Sequence, residues 1–182
     1  MKKFLITLGV LILLIIGAWV TYRQNTKSHS PEADLNYNVS GLTIRIFYNR
    51  PFKKGREIFG GLVPFGKVWR TGANEATVFE TNKDLIIKGK TLKAGKYSLW
   101  SIPDKQSWRV IFNSEYGQWG INFDGETNRN SQNDVLAVDA PVLIQEKEFE
   151  QFTISVEKGG EEQELIFIWD KTLVSIPFTV SR

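Results

Sequence analysis

The 182-residue sequence has no cysteine and a single histidine. With no sulfur to act as ligand or nucleophile, disulfide frameworks, thiolate zinc sites, cysteine catalysis and an amino-terminal lipidated cysteine are excluded. His29 stands in a polar stretch ahead of the first strand-like segment. Nothing there fixes an imidazole, so it reads as a solvated residue and a Ser-His-Asp triad has no base to build on. The folded part also lacks net charge. The formal total is +3, but Lys2, Lys3 and Arg23 flank the first apolar run and no acidic residue precedes Glu32. Setting those three aside leaves 20 basic against 20 acidic residues in 24–182. A balanced domain has no basic face with which to displace counterions from phosphates, so nucleic acid is not expected as a partner.

What is present first is an apolar leader. Phe4 to Val20 run for 17 residues without a charge, about 25 Å as a helix and the short end of what crosses a bilayer core of about 30 Å. Trp19 and Tyr22 suit the interfacial belt, and Lys2 and Lys3 keep the amino terminus cytoplasmic by the positive-inside rule. The lipid bilayer is therefore the first expected partner, through a single-pass anchor with the remainder extracytoplasmic. The alternative is a cleaved signal peptide, leaving a secreted or periplasmic domain, although Ala18-Trp19-Val20 makes a poor cleavage site. Residues 1–23 are read as the transmembrane anchor. Residues 24–34 are polar, contain Pro31 and read as a linker. Residues 35–182 read as an all-β exported domain.

From Leu35 onward the apolar period is two. Leu35, Tyr37 and Val39, then Leu42, Ile44, Ile46 and Tyr48, alternate with polar residues around Ser40-Gly41, which predicts two strands and a tight turn. Further strands are expected at 77–81, 85–88, 96–102, 108–113, 135–144, 152–157, 164–169 and 173–180. Gly89-Lys90, Pro103-Asp104 and Gly159-Gly160 serve as turns. About ten short strands and no crossover helices predict an antiparallel β-sandwich or barrel-like domain behind one transmembrane helix. Pro177 inside the last strand marks an edge or a bulge, since it offers no N–H to a ladder.

The stretch from Arg50 to Thr77, RPFKKGREIFGGLVPFGKVWRTGANEAT, breaks this rhythm with five glycines and two prolines. It reads as a long ordered connection folded onto the sheets, and such loops usually carry function. Arg70, Asn74 and Glu75 are expected to line a polar site. Arg56 or Arg50 would bring a second guanidinium for a carboxylate, phosphate or sugar. The plainer alternative is an ion-pair and capping network pinning the loop over buried Trp69, Phe59 and Phe65.

The run KGREIFGGLVPFGKVWRTGANEAT, with AGKYSLWSIP at 94–103, WRVIFN at 108–113 and GQWG at 117–120, is similar to the bacterial family catalogued as domain of unknown function 2911. The resemblance extends from about Leu35 to Val180. It implies an exported bacterial protein and carries no established activity; a binding module of the cell envelope is the reading that the exported domain itself suggests.

Other constellations are weak. Gly89-Lys90-Thr91 ends like a phosphate-binding loop, but Asp84 stands where the leading glycine should. The loop 124–134 resembles a calcium loop in composition, yet Arg129 and Val135 occupy the positions of its glycine and glutamate. No cofactor and no metal-ligand set is read from the sequence. Most tryptophans should fill the core, with Trp119, off the strands between Gln118 and Gly120, as the exception. Two function classes remain. One is a module binding a small-molecule, glycan or protein ligand through Arg56, Arg70, Asn74, Glu75 and Trp119. The other is a carboxylate-dependent hydrolase or lyase using Glu75, with Asp124 or Glu57 as partner. Ligand binding is placed ahead of catalysis, and no catalytic residue is assigned.

Overall fold

The computed structural model describes residues 2–122, 124–160 and 162–181. It has one amino-terminal helix, α1 (Lys2–His29), followed by nine antiparallel strands: β1 (Glu32–Val39), β2 (Leu42–Asn49), β3 (Thr77–Thr81), β4 (Leu85–Ile87), β5 (Lys90–Leu92), β6 (Gly95–Pro103), β7 (Ser107–Asn113), β8 (Asp134–Gly159) and β9 (Glu162–Val180). Their order is β1-β2-β3-β6-β7-β8-β9-β4-β5. The domain behind the helix is all-β, as its period-two pattern requires.

α1 is long and apolar enough to cross a membrane, and none of its residues is buried. Its extent corrects the boundary set from composition. The stretch 24–34 is not an irregular tether, because the helix continues through His29 and β1 begins at Glu32. Polar side chains sustain the last turns: Thr26 and Ser28 hydroxyls donate back to the carbonyls of Arg23 and Asn25 at 2.9 and 2.7 Å. Lys27 and His29 complement the carbonyl end of the helix dipole. Pro31, which cannot continue a helix, follows.

β1 and β2 form a hairpin from Glu32↔Asn49 to Val39↔Leu42. Its two-residue turn places Ser40 and Gly41 at φ 51° and 76°, the paired positive values of a turn matched to strand twist. Three other expectations need correction. The predicted strands 135–144 and 152–157 are one strand, β8, and 164–169 and 173–180 are one strand, β9. The polar run around Gln145–Glu150 interrupts the alternation without ending the backbone extension, and the β8–β9 register slips there, between Ile144, Phe149 and Thr153. The turn after β4 is Lys88-Gly89, with φ 50° and 76°, so Lys90 opens the short strand β5 rather than closing a turn. Pro177 lies where β9 leaves β8, last paired at Val174, and takes up β4 at Phe178, a position that needs no donor.

β8 pairs with β7 through its first residues and with β9 beyond Val142. It therefore joins two halves of the sheet over one core. Ile44, Ile46, Phe79, Leu99, Trp108, Val110, Phe112, Ile154, Phe167, Trp169 and Ile176 meet there, each no more than 1% exposed. The Tyr48 hydroxyl donates to Ile154 O at 3.3 Å and accepts from Ile154 N at 3.0 Å, tying β2 to β8. The 50–76 connection lies over this junction: Lys53 N donates to Glu150 O, and Phe52 bridges Gln151.

Candidate functional site

The segment from Trp69 to Thr77 carries three of the five residues singled out from the sequence. It is built on β6, where Trp69 and Ser101 exchange main-chain bonds of 2.7 and 2.9 Å. Thr71 and Asn74 adopt φ of 52° and 56°, a conformation that β-branched and most other side chains resist. Surrounding bonds hold it. Thr71 Oγ1 lies 2.9 Å from Ser101 Oγ, Thr77 Oγ1 donates to Thr71 O at 2.6 Å, and Trp69 Nε1 donates to Gly72 O at 2.9 Å. Gly72 passes so close to β2 that a β-carbon would sit 3.0 Å from Asn49 O.

This fold turns Glu75 toward α1. Its Oε1 accepts from Arg23 Nη2 at 3.1 Å and pairs with Lys27 Nζ at 3.2 Å. Its Oε2 accepts from Asn49 Nδ2 at 2.9 Å, and Asn49 Oδ1 in turn accepts from Asn74 Nδ2 at 3.3 Å. Burial pushes the Glu75 carboxyl up, but a backbone N–H and the two cations outweigh it and hold the group below its ordinary value. Lys27 also pairs with Glu32, so two carboxylates share one ammonium.

Arg70 faces the other way along the same strap. Nη1 donates to Trp119 O at 3.2 Å, and the side chain runs against Gly120, where φ is +97° and a β-carbon would meet Arg70 Cδ at 2.6 Å. Desolvation pushes the guanidinium below its ordinary value, opposed by Glu75 and then Tyr22. It remains a cation all the same.

Two cavities flank this strap. One, of about 380 Å³, is lined by the cationic side chains of Lys54, Arg56, Lys67 and Arg70, together with His29, and among the described residues no Asp or Glu lines it. Trp69 and Trp169 contribute aromatic wall. The other, of about 860 Å³, lies between α1 and the domain and is lined by Trp19, Tyr22, Arg23, Glu75, Trp119 and Asn128 among others. Arg70 and Arg56 thus share one cavity, while Glu75 and Trp119 share the second. Asn74 is buried and supports Asn49. Arg56 is exposed, and its Nε donates to Lys53 O at 3.0 Å. Arg50 does not join them, because it donates to Phe152 O and Thr153 Oγ1 of β8 at 3.2 and 2.8 Å.

Neither proposed acidic partner meets Glu75. Glu57 lines a different cavity, and Asp124 accepts from Glu126 N at 3.1 Å in a turn. Among the described residues, no group of three or more His, Asp or Glu side chains could hold a metal ion. Trp100, Trp108 and Trp169 are buried and Trp69 packs against the core, whereas Trp119 stands apart from the core and lines the cavity beside α1.

Four contributors escaped the sequence reading. Arg23 and Lys27 lie four residues apart on a helix face that composition had assigned partly to a linker. Asn49 closes the alternating run of β2 as a fully buried amide. His29 is exposed, as expected of a solvated residue, and also borders the basic cavity, with Nδ1 2.8 Å from Asn25 O. The i, i+4 spacing of Arg23 and Lys27 was the available signal.

A family model described as "Protein of unknown function (DUF2911)" matches residues 30–178. No curated protein and no solved structure matches the chain.

Proposed function

The chain belongs to that family of unknown function, so its chemistry has to be argued from its own side chains, and we propose that it is a membrane-anchored extracytoplasmic module that binds an anionic small molecule. In this reading α1 spans the bilayer through Phe4 to Val20, with Lys2 and Lys3 on the cytoplasmic side. The ligand occupies the basic cavity under the 50–77 connection.

The supporting observation is the composition of that cavity: Lys54, Arg56, Lys67 and Arg70 line it, with no carboxylate lining it among the described residues. An incoming carboxylate or phosphate would compensate the burial of Arg70, whose planar fork suits either group. Trp69 and Trp169 offer a flat apolar surface for the ligand's body, and the volume is that of a small-molecule site. Glu75, Asn74 and Trp119 serve as positioning residues. They brace Arg70 through the shared strap and Trp119 O rather than touch the anion. The carboxylate-hydrolase alternative is less well supported, because both Glu75 oxygens are occupied and its lowered pKa suits neither an acid nor a base near neutrality.

Full-length protein in detergent micelles should be melted with phosphate, citrate, sugar acids and the matching neutral sugars. A ligand at 100 times its Kd stabilises by about 2.7 kcal/mol, raising Tm by roughly 5–10 °C for a domain of this size. Arg70→Gln should remove the shift while Tm without ligand changes little. Equal responses to anions and neutral sugars, or an unchanged response in Arg70→Gln, would refute the reading.

A further inference from the structure

The two cavities that flank the 69–77 strap adjoin at Ile121, which lines both. The loop around Ile121 serves each of them, with Trp119 and Asn122 on the junctional cavity and Gly125 and Thr127 on the basic one. α1 supplies the opposite bank. Trp19, Tyr22 and Arg23 line the junctional cavity, and His29 and Ser30 at the end of the helix line the basic one. Trp19 closes the apolar run from Phe4, the level at which a spanning helix leaves the bilayer. From Trp19 to His29 the helix rises about 15 Å, at about 1.5 Å per residue. The paired cavities therefore start at the lipid surface and climb to the cluster of cations.

The lining changes character along that climb. The lower part offers the aromatic rings of Trp19, Tyr22 and Trp119 with the carboxamides of Asn122 and Asn128. Trp119 belongs to neither buried cluster, so its ring is not committed to the core. A flat indole beside side-chain amides suits a carbohydrate, whose C–H face stacks while its hydroxyls bond the amides. Glu75, the one acidic side chain lining this part among the described residues, is already paired with Arg23 and Lys27 and presents little net repulsion to an anion passing it. The upper part is basic, with Lys54, Arg56, Lys67 and Arg70.

Taking the anion reading above as its premise, we propose that the anion is the outer phosphate or carboxylate of a membrane glycolipid. The acyl chains stay in the bilayer beside α1, the sugar lies against Trp119 in the junctional cavity, and the anionic group beyond it reaches Arg70 and its neighbouring cations. A lipid whose phosphate sits directly on glycerol cannot make that reach, because its charge stays near the level of Trp19. A free anion would fill only the upper cavity.

The full chain should be melted in phosphatidylcholine nanodiscs carrying, in separate preparations, a small fraction of phosphatidylinositol monophosphate, of phosphatidylinositol, or of phosphatidic acid at matched charge. Inositol monophosphate added to plain phosphatidylcholine discs is the free-anion arm. The monophosphorylated lipid should raise Tm by several degrees through preferential binding to the folded domain, and the other two lipids should not. Arg70→Gln should abolish the shift. Trp119→Ala should at least halve it, with a smaller loss of the response to inositol monophosphate. Ile121→Trp, which crowds the wall between the cavities, should likewise cost the lipid more than the free anion. The comparison of lipids on the parent chain decides even where a variant melts early. Stabilisation by inositol monophosphate but not by the phosphorylated lipid would overturn this proposal and leave the anion reading standing, and no response to either would overturn both. Equal stabilisation by phosphatidic acid or phosphatidylinositol would reduce the effect to surface attraction and overturn it as well.

Discussion

A β-carbon on Gly120 would sit 2.6 Å from Arg70 Cδ and 3.0 Å from its Cβ, at a φ that L residues rarely adopt. Gly120→Ala therefore combines backbone strain with a clash against a partly buried cation, and should destabilise by about 1–3 kcal/mol. In thermal melts this is a drop of several degrees, accompanied by loss of the anion response because Arg70 must move. Glu75 makes a prediction of a different kind. Its carboxyl titrates lower in the folded chain than its ordinary value of 4.5, so its contribution to stability is complete above that value and is lost as pH falls through the folded pKa. Glu75→Gln keeps the shape and removes the charge. Its Tm should lie below that of the parent at pH 7, and the two curves should converge as pH falls below 4.5. A constant gap across that range would mean that the ion pairs with Arg23 and Lys27 contribute nothing.

Between elements, the joint that closes the domain is a side chain standing in for a ladder. Tyr48 of β2 both donates to and accepts from the main chain of Ile154 in β8. Tyr48→Phe would leave that buried N–H and C=O short of partners, at about 1–3 kcal/mol, readable as a lower denaturant midpoint with an unchanged m-value. The alternation that placed Tyr48 inward was plain in the sequence, and so were the Ser40-Gly41 turn and β3, because local periodicity and turn chemistry act over a few residues. What its hydroxyl would meet, 106 residues away, was not. The same limit explains the rest. The continuity of β8 through Gln145–Glu150 is set by pairing with β9 rather than by its own pattern, and β5 is too short to show a period. Of the site, Arg70 and Arg56 were legible as unusual cations in a glycine-rich stretch. Lys54, Lys67 and His29 join them only because the strap and the end of α1 fold onto one cavity, and Asn49 is drawn in by the loop above it.

At the scale of the whole molecule, α1 is more than a tether, because its last turns grip the domain. Arg23 and Lys27 hold Glu75, Lys27 also holds Glu32, and Trp19 and Tyr22 face Trp119 across the junctional cavity. Trp19 and Tyr22 are the residues that would mark the membrane surface, so the grip would set Trp119 at the level of the lipid headgroups. The ion pairs are partly solvated, and replacing both cations with alanine should lower stability by only about 1 kcal/mol, leaving the fold intact. Orientation should respond far more. In nanodiscs containing lipid brominated near the headgroup, a Trp19→Phe chain should show quenching that Trp119→Phe removes, since Trp100, Trp108 and Trp169 are enclosed in the core and Trp69 packs against it. Adding Arg23→Ala and Lys27→Ala should release the domain to swing on Ser30-Pro31 and reduce that quenching, with melting nearly unchanged. Undiminished quenching would show that packing of the helix end, not its charges, fixes how the domain meets the membrane.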